Sequence, residues 1–149
     1  RIIIGEVRGA EAFDLLQAMN TGHEGSLTTL HANNTKDALN RLETMVLMDG
    51  LEIPIPALKE YICNAVDIIV FISRMKDGKR KITNISELNG VTDGAWDLNS
   101  IFEFNAELIT EDGLVHGSYV QNKGIPKCIA KIIANGINDL TDIFKPNKK

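Results

Sequence analysis

Arg1-Ile2-Ile3-Ile4-Gly5-Glu6-Val7-Arg8-Gly9-Ala10-Glu11-Ala12 opens the chain, and its reading decides the fold. Ile2 to Val7 is a short β-branched run without polar alternation. Such a run predicts a strand buried on both faces, central in a parallel sheet. The run carries a carboxylate, Glu6, near its end, with Arg8 and Gly9 behind it. From Ala10 to Asn20, the residues Ala12, Phe13, Leu15, Leu16 and Met19 recur at helical spacing, and Gly22 supplies a stop. The opening therefore reads as strand, acidic tip, helix.

Ser26 to His31 predicts a second strand. Asn33 or Asn34 is then an N-cap for a helix carrying Ala38, Leu39, Leu42, Met45 and Val46. This βαβα alternation makes the fold class α/β, a sheet flanked by helices. Pro54 and Pro56 break the chain before a helical pattern from Ala57 to Val66. Asp67 to Arg74, the turn Lys76-Asp77-Gly78-Lys79, and Lys81 to Leu88 predict an antiparallel hairpin. After Gly90 the character shifts. Trp96 to Asn105 and Leu114 to Val120 predict strands around a polar turn at Glu111-Asp112-Gly113, and Pro126 to Asn135 a helix closed by Gly136. A small α/β C-terminal appendage is expected there, which divides the chain into residues 1–90 and 91–149 with a boundary near Gly90 to Asp93.

The chain has 149 residues, 44% of them hydrophobic and 24% charged, which excludes a disordered tail or a coiled coil. Its net charge of -4 is spread along the chain, so no nucleic-acid partner is expected. The basic tail ending Lys145, Lys148 and Lys149 is too short to reverse that, and the turn Lys76 to Lys81 reads as a solvated hairpin tip. Cys63 and Cys128 sit in apolar helical patterns and are expected to be buried thiols in a reducing compartment. No stretch approaches the roughly 18 apolar residues of a membrane span, and no leader pattern opens the chain, so a cytoplasmic location is expected. The start inside an apolar strand, with no helix or cap ahead, gives the expectation of a piece of a longer chain.

Glu6 carries the first chemical signal, because ligands of open α/β sheets bind outside the carboxyl ends of strands. A glutamate there can orient a water for attack on a γ-phosphate or hold a magnesium shell through water. It can equally be an ordinary salt-bridge partner. The second signal is the segment Gly22 to Asn33, which gathers His23, Ser26, Thr28, Thr29 and His31 in one strand and its borders. Hydroxyl and imidazole donors are thereby expected at the sheet edge that carries Glu6, where they suit a phosphate or an activated water. The plainer alternative is that His23 caps a loop and His31 is a satisfied, half-buried imidazole. The spacing of His23, Glu24 and His31 fits no usual zinc pattern.

Taken together, Arg1 to Ala12 resembles the Walker B box of the type II and type IV secretion ATPase superfamily, and Gly22 to Asn33 resembles its histidine box. Gln17 to Gly22, Asp37 to Met48 and Ile101 to Phe104 look most like its Tad/Flp pilus-assembly branch, the CpaF-like proteins. The resemblance implies the C-terminal part of a RecA-like P-loop NTPase sheet, within a cytoplasmic hexameric ATPase. Such a ring hydrolyses ATP with Mg2+ to power pilus assembly or secretion through integral-membrane platform proteins, and it meets the membrane through those partners. By position, Glu6 would be the catalytic glutamate, touching the magnesium shell through water, and His31 the histidine at the γ-phosphate region. Arg8, His23, Thr28 and Thr29 would support the nucleotide site. Gly5 stands where many other ATPases place a magnesium-binding aspartate. No G-x-x-x-x-G-K-[ST] occurs in the chain. The resemblance therefore implies a piece that begins at the Walker B strand, binds no nucleotide tightly and is inactive alone. The rival reading is a non-catalytic oligomerisation or platform-docking module.

Overall fold

A computed structural model describes residues 1–48, 50–110, 113–122 and 125–137. Its elements are β1 (Ile3–Ile4), α1 (Glu11–Asn20), β2 (Leu27–Thr28), α2 (Thr35–Leu47), α3 (Ile55–Ala65), β3 (Ile68–Arg74), β4 (Arg80–Thr92), β5 (Ala95–Ile109), β6 (Val115–Gln121) and α4 (Cys128–Ala134). The expected α/β class is observed. Two compact units divide the chain, one made of Arg1–Asp67 with Leu88–Leu98, the other of Ile68–Glu87 with the residues from Asn99 onward.

In the first unit, β1 and β2 pair in parallel with Ile3 opposite Leu27 and Ile4 opposite Thr28. Several helix ends have a local cause. Asn34, in extended conformation, accepts the Asp37 N–H at 2.8 Å as N-cap of α2. Gly22, at φ 89°, lets the chain turn away after α1. Pro54 precedes α3, and Pro56 stands in its first turn, where a missing N–H costs nothing. The three helices pack on one another around Leu15, Leu16, Leu39, Leu42, Val46, Leu58 and Ile62, each at most 5% exposed. Of the apolar run at the end of α2, Met45 and Val46 are buried, whereas Met48 is 73% exposed.

The expectation of a first strand buried on both faces is corrected. Ile3 is 73% exposed and its register partner Leu27 is 61% exposed. A β-branched run states what a strand prefers, but burial requires neighbours, and β1 has one partner strand among the described residues. The ladder is also shorter than the run, because the chain bends at Gly5 before the Val7 N–H reaches Thr29 O at 2.9 Å.

Lys59 and Trp96 tie α2 and α3 to the β4–β5 turn. The Lys59 ammonium donates to Gly94 O at 2.6 Å, lies 5.0 Å from the Trp96 ring centre, and stands 3.8 Å from the Glu43 carboxylate. The Trp96 indole N–H donates to Asn40 Oδ1 at 2.8 Å. Asp93 and Gly94, at φ 51° and 76°, supply the two positive-φ residues that a tight two-residue hairpin turn requires.

The second unit is built on a four-stranded sheet in the order β3-β4-β5-β6, to which β4 and β5 contribute their remaining lengths. The predicted hairpin of β3 and β4 is present, with Gly78 at φ 79° and the Asp77 carboxylate accepting the Lys79 N–H at 2.9 Å. The sequence reading separates the strands after Gly90 from this hairpin. In the structure β4 runs through Gly90 to Thr92, and β5 lies beside it in the same sheet. Gly117 opposes Ala106 so closely that a Cβ would collide with Asn105 O, which restricts the position to glycine. The buried Glu87 carboxylate accepts the Lys127 and Cys128 N–H groups at 3.0 and 2.7 Å, so the open N-terminus of α4 is capped from β4. Cys63 and Cys128 are only half-buried, not the buried thiols expected. Burial still pushes the Cys63 thiol up, with Glu60 adding to it. The turn residues Glu111 and Asp112, and Lys145, Lys148 and Lys149, lie outside the described residues.

Candidate functional site

Parallel pairing fixes the site, because it sends the C-terminal ends of β1 and β2 toward the same edge. Beyond Ile4 and Thr28 the two chains stay tied. Val7 N–H donates to Thr29 O at 2.9 Å, and the Thr29 hydroxyl donates to Gly5 O at 2.6 Å. Glu6 and His31 leave these tied segments and meet, His31 Nε2 lying 3.1 Å from Glu6 Oε1. On the other carboxylate oxygen, the Arg8 guanidinium donates to Glu6 Oε2 at 2.6 Å. The Glu6 side chain is 24% exposed, while Arg8 and His31 are 75% and 81% exposed, so the carboxylate is flanked by groups open to solvent.

The Arg8 hydrogen bond holds the Glu6 carboxyl below its ordinary value, and the charges of Arg8, His31 and Arg41 on α2 act in the same direction. The folded value is depressed, so the contribution of this charge pairing is present above the unfolded value and is lost as pH falls through the folded one. The side-chain carbon of Glu6 should therefore titrate by NMR with a midpoint below 4.5, the ordinary value for the group, and Arg8→Gln should raise that midpoint. A wild-type midpoint at or above 4.5 contradicts this geometry.

Not every residue of the second segment joins the cluster. Thr29 acts through its tie to Gly5. Thr28 pairs with Ile4 in the ladder, and its hydroxyl lies 3.4 Å from Thr29 O, a long contact. His23 is displaced from its expected edge. It precedes β2, so it stands before the N-terminal end of the strand whose C-terminal end leads to His31, and its Nδ1 lies 3.1 Å from Ala18 O. Ser26 completes that loop, donating to His23 O at 2.6 Å and accepting the Ile2 N–H at 3.2 Å. The loop-cap alternative describes His23, whereas His31 is exposed rather than half-buried.

Arg41 on α2 acts on Glu6 through its charge alone, an influence that no local spacing in the sequence signals. Among the described residues no group of three His, Cys, Asp or Glu converges as a metal site. A single carboxylate already engaged by Arg8 and His31 does not fit direct binding of a divalent cation, whereas the exposed guanidinium and imidazole beside it suit the edge of a phosphate group. A groove of about 610 Å³, lined by Pro56, Lys59, Cys63, Asn89 and Gly94 among others, shares no residue with this cluster. No described helix is long and apolar enough to cross a membrane.

The family model for type II/IV secretion system proteins matches residues 1–141. A putative conjugal transfer protein of Mycobacterium tuberculosis is 42% identical over 88 residues, covering 59% of this chain and 24% of that protein. The conjugal transfer protein TrbB of Rhizobium radiobacter is 45% identical over 80 residues, covering 54% of this chain and 24% of its own length. The type IV secretion system protein PtlH of Bordetella pertussis is 34% identical over 95 residues, covering 61% and 28%. Among solved structures, the VirB11 ATPase from the Brucella suis type IV secretion system, in complex with sulphate, matches with a TM-score of 0.55 at 32% identity, over 58% of this chain and 27% of that one. The chain thus spans about a quarter of the length of these relatives.

Proposed function

From membership of the type II/IV secretion system protein family, to which this chain belongs, we propose that it is the part of a secretion or pilus-assembly ATPase that presents Glu6 and His31 to ATP. The observation that carries the reading is the meeting of those two side chains at 3.1 Å, over the edge toward which both parallel strands run. Bound MgATP would supply the electrophilic γ-phosphorus. The chain's own residues would supply orientation and charge. A carboxylate held below its ordinary value is a poor proton acceptor, so Glu6 is assigned the orientation of the attacking water, and contact with the magnesium shell through water, rather than strong base catalysis. Arg8 holds that carboxylate ionised. His31, engaged by Glu6 through Nε2, has Nδ1 left to meet the phosphate region, and Thr29 locks the two segments in register.

His23 and Thr28 support the site through the loop and ladder they stabilise. The active unit is a homo-oligomer, a hexamer, that is cytoplasmic and meets the membrane through platform proteins. Asp37 to Met48 and Ile101 to Phe104 support Tad/Flp pilus assembly as its task; the relatives named for conjugal transfer support a conjugative machine. Because the 149 residues contain no phosphate-binding loop, phosphate release from ATP is expected from the full-length protein and none from the purified chain. Steady-state turnover by the chain itself would overturn the account. A full-length protein without turnover would leave the assembly-module reading in its place.

A further inference from the structure

We propose that Glu11 is a positioning residue for the Glu6–Arg8–His31 cluster, fixing the backbone from which the Arg8 guanidinium reaches Glu6. The role in turnover rests on the ATPase reading above; the geometry stands without it. Val7 is anchored by its N–H on Thr29 O and by a side chain 1% exposed, and Ala12 is 0% exposed. Only residues 8–11 lie between these anchors, so whatever sets their path sets where Arg8 points. The N-cap of α1 is Ala10, whose side chain offers no hydrogen bond to the donors of the first turn. Glu11 reaches backward instead. Its Oε1 accepts the Arg8 N–H at 2.8 Å and the Gly9 N–H at 3.2 Å. Ala12 N–H to Gly9 O at 3.0 Å and Phe13 N–H to Ala10 O at 3.1 Å close the turn around that carboxylate. A Cβ on Gly9 would stand 3.2 Å from Glu11 Oε2, so the acid and the bare glycine share one tight space. The N–H groups of Arg8 and of Glu11 itself, with that of Gly9, hold the Glu11 carboxyl below its ordinary range. It therefore stays ionised as pH falls into the range where an ordinary carboxylate would protonate. A glutamate serving only a solvated helix face would make none of these bonds.

The test uses NMR of the 149-residue chain, with Trp96 emission as the check that the first unit is folded. Glu11→Ala should speed exchange of the Arg8 and Gly9 amides by roughly tenfold or more and move the Glu6 titration midpoint upward, toward that of Arg8→Gln. Glu11→Gln, whose amide oxygen can still accept both N–H groups, should keep both readouts near wild type. A helix cap without a positioning role would alter exchange and leave the Glu6 midpoint in place, and that result overturns the proposal. Should Glu11→Ala unfold, Glu11→Asp, one methylene too short to reach the Arg8 and Gly9 N–H groups from the same backbone, takes its place and is expected to shift the midpoint in the same direction; an unmoved midpoint there overturns it equally. Turnover of the full-length protein separates the two readings. An unmoved midpoint removes the Glu11 role alone, whereas a moved midpoint beside unchanged turnover in Glu6→Gln removes the catalytic reading alone.

Discussion

Glu6→Gln in the full-length protein is expected to lower kcat for ATP by about 100-fold or more while KM changes little. Glutamine keeps the size of the side chain and one oxygen acceptor, so the β1–β2 edge has no steric reason to move. What it loses is the charge. The carboxylate draws Arg8 to 2.6 Å on one oxygen and His31 to 3.1 Å on the other, and it is the acid within a cluster otherwise made of cationic groups and an imidazole. A water aligned for in-line attack needs a fixed acceptor of negative charge, and a neutral amide supplies a weaker one that also turns an N–H toward the guanidinium. The loss is expected in kcat, because the proposed role of Glu6 is to orient the attacking water rather than to hold the phosphates. A change of less than about threefold would make Glu6 a surface ion-pair partner, the plainer reading its sequence position allows.

The largest expected effect on folding is at Leu16. This side chain is 0% exposed on α1, which packs against α2 and α3, the helices that bury Leu39, Leu58 and Ile62. Leu16→Ala removes buried methyl groups and leaves a cavity, at a cost of about 2–5 kcal/mol. That is a large part of the roughly 5–15 kcal/mol by which domains of this size are stable. Trp96, 8% exposed and bonded to Asn40, belongs to the same unit, so its emission in a urea series reports the loss where it occurs. Met48→Ala, at a side chain 73% exposed, is the control and should stay within about 0.5 kcal/mol of wild type. Equal shifts for the two variants would mean that the helix cluster is not the core of the first unit.

The residues differ in how far they could be read before the structure. The meeting of Glu6 with His31 was legible because it follows from direction alone: two parallel strands deliver their C-terminal residues to one edge. The same logic misplaced His23. Membership of one segment says nothing about which end of the strand a residue falls on, and His23 precedes β2. Burial of Ile3 was misjudged because the run reports preference and cannot report neighbours. The Asp93-Gly94 turn carried a recognisable local signal, a pair suited to positive φ, yet it lay where the reading expected a boundary. Glu87 had no such signal. Its partners Lys127 and Cys128 are 40 and 41 positions away, and no spacing rule connects a strand carboxylate to a helix that distant. Glu11 stands between these cases, since an acid at the start of a helix is a common cap, but its reach backward to Arg8 and Gly9 appears only in coordinates.

The most direct test of the shared edge is a double-mutant cycle on turnover of the full-length protein, using Glu6→Gln, His31→Ala and the pair together. If the two side chains act as one unit on the nucleotide, removing His31 from a protein already carrying Glu6→Gln should cost far less than removing it from wild type, and the losses should not multiply. Losses that multiply as independent factors would show that carboxylate and imidazole work apart, and would contradict the account.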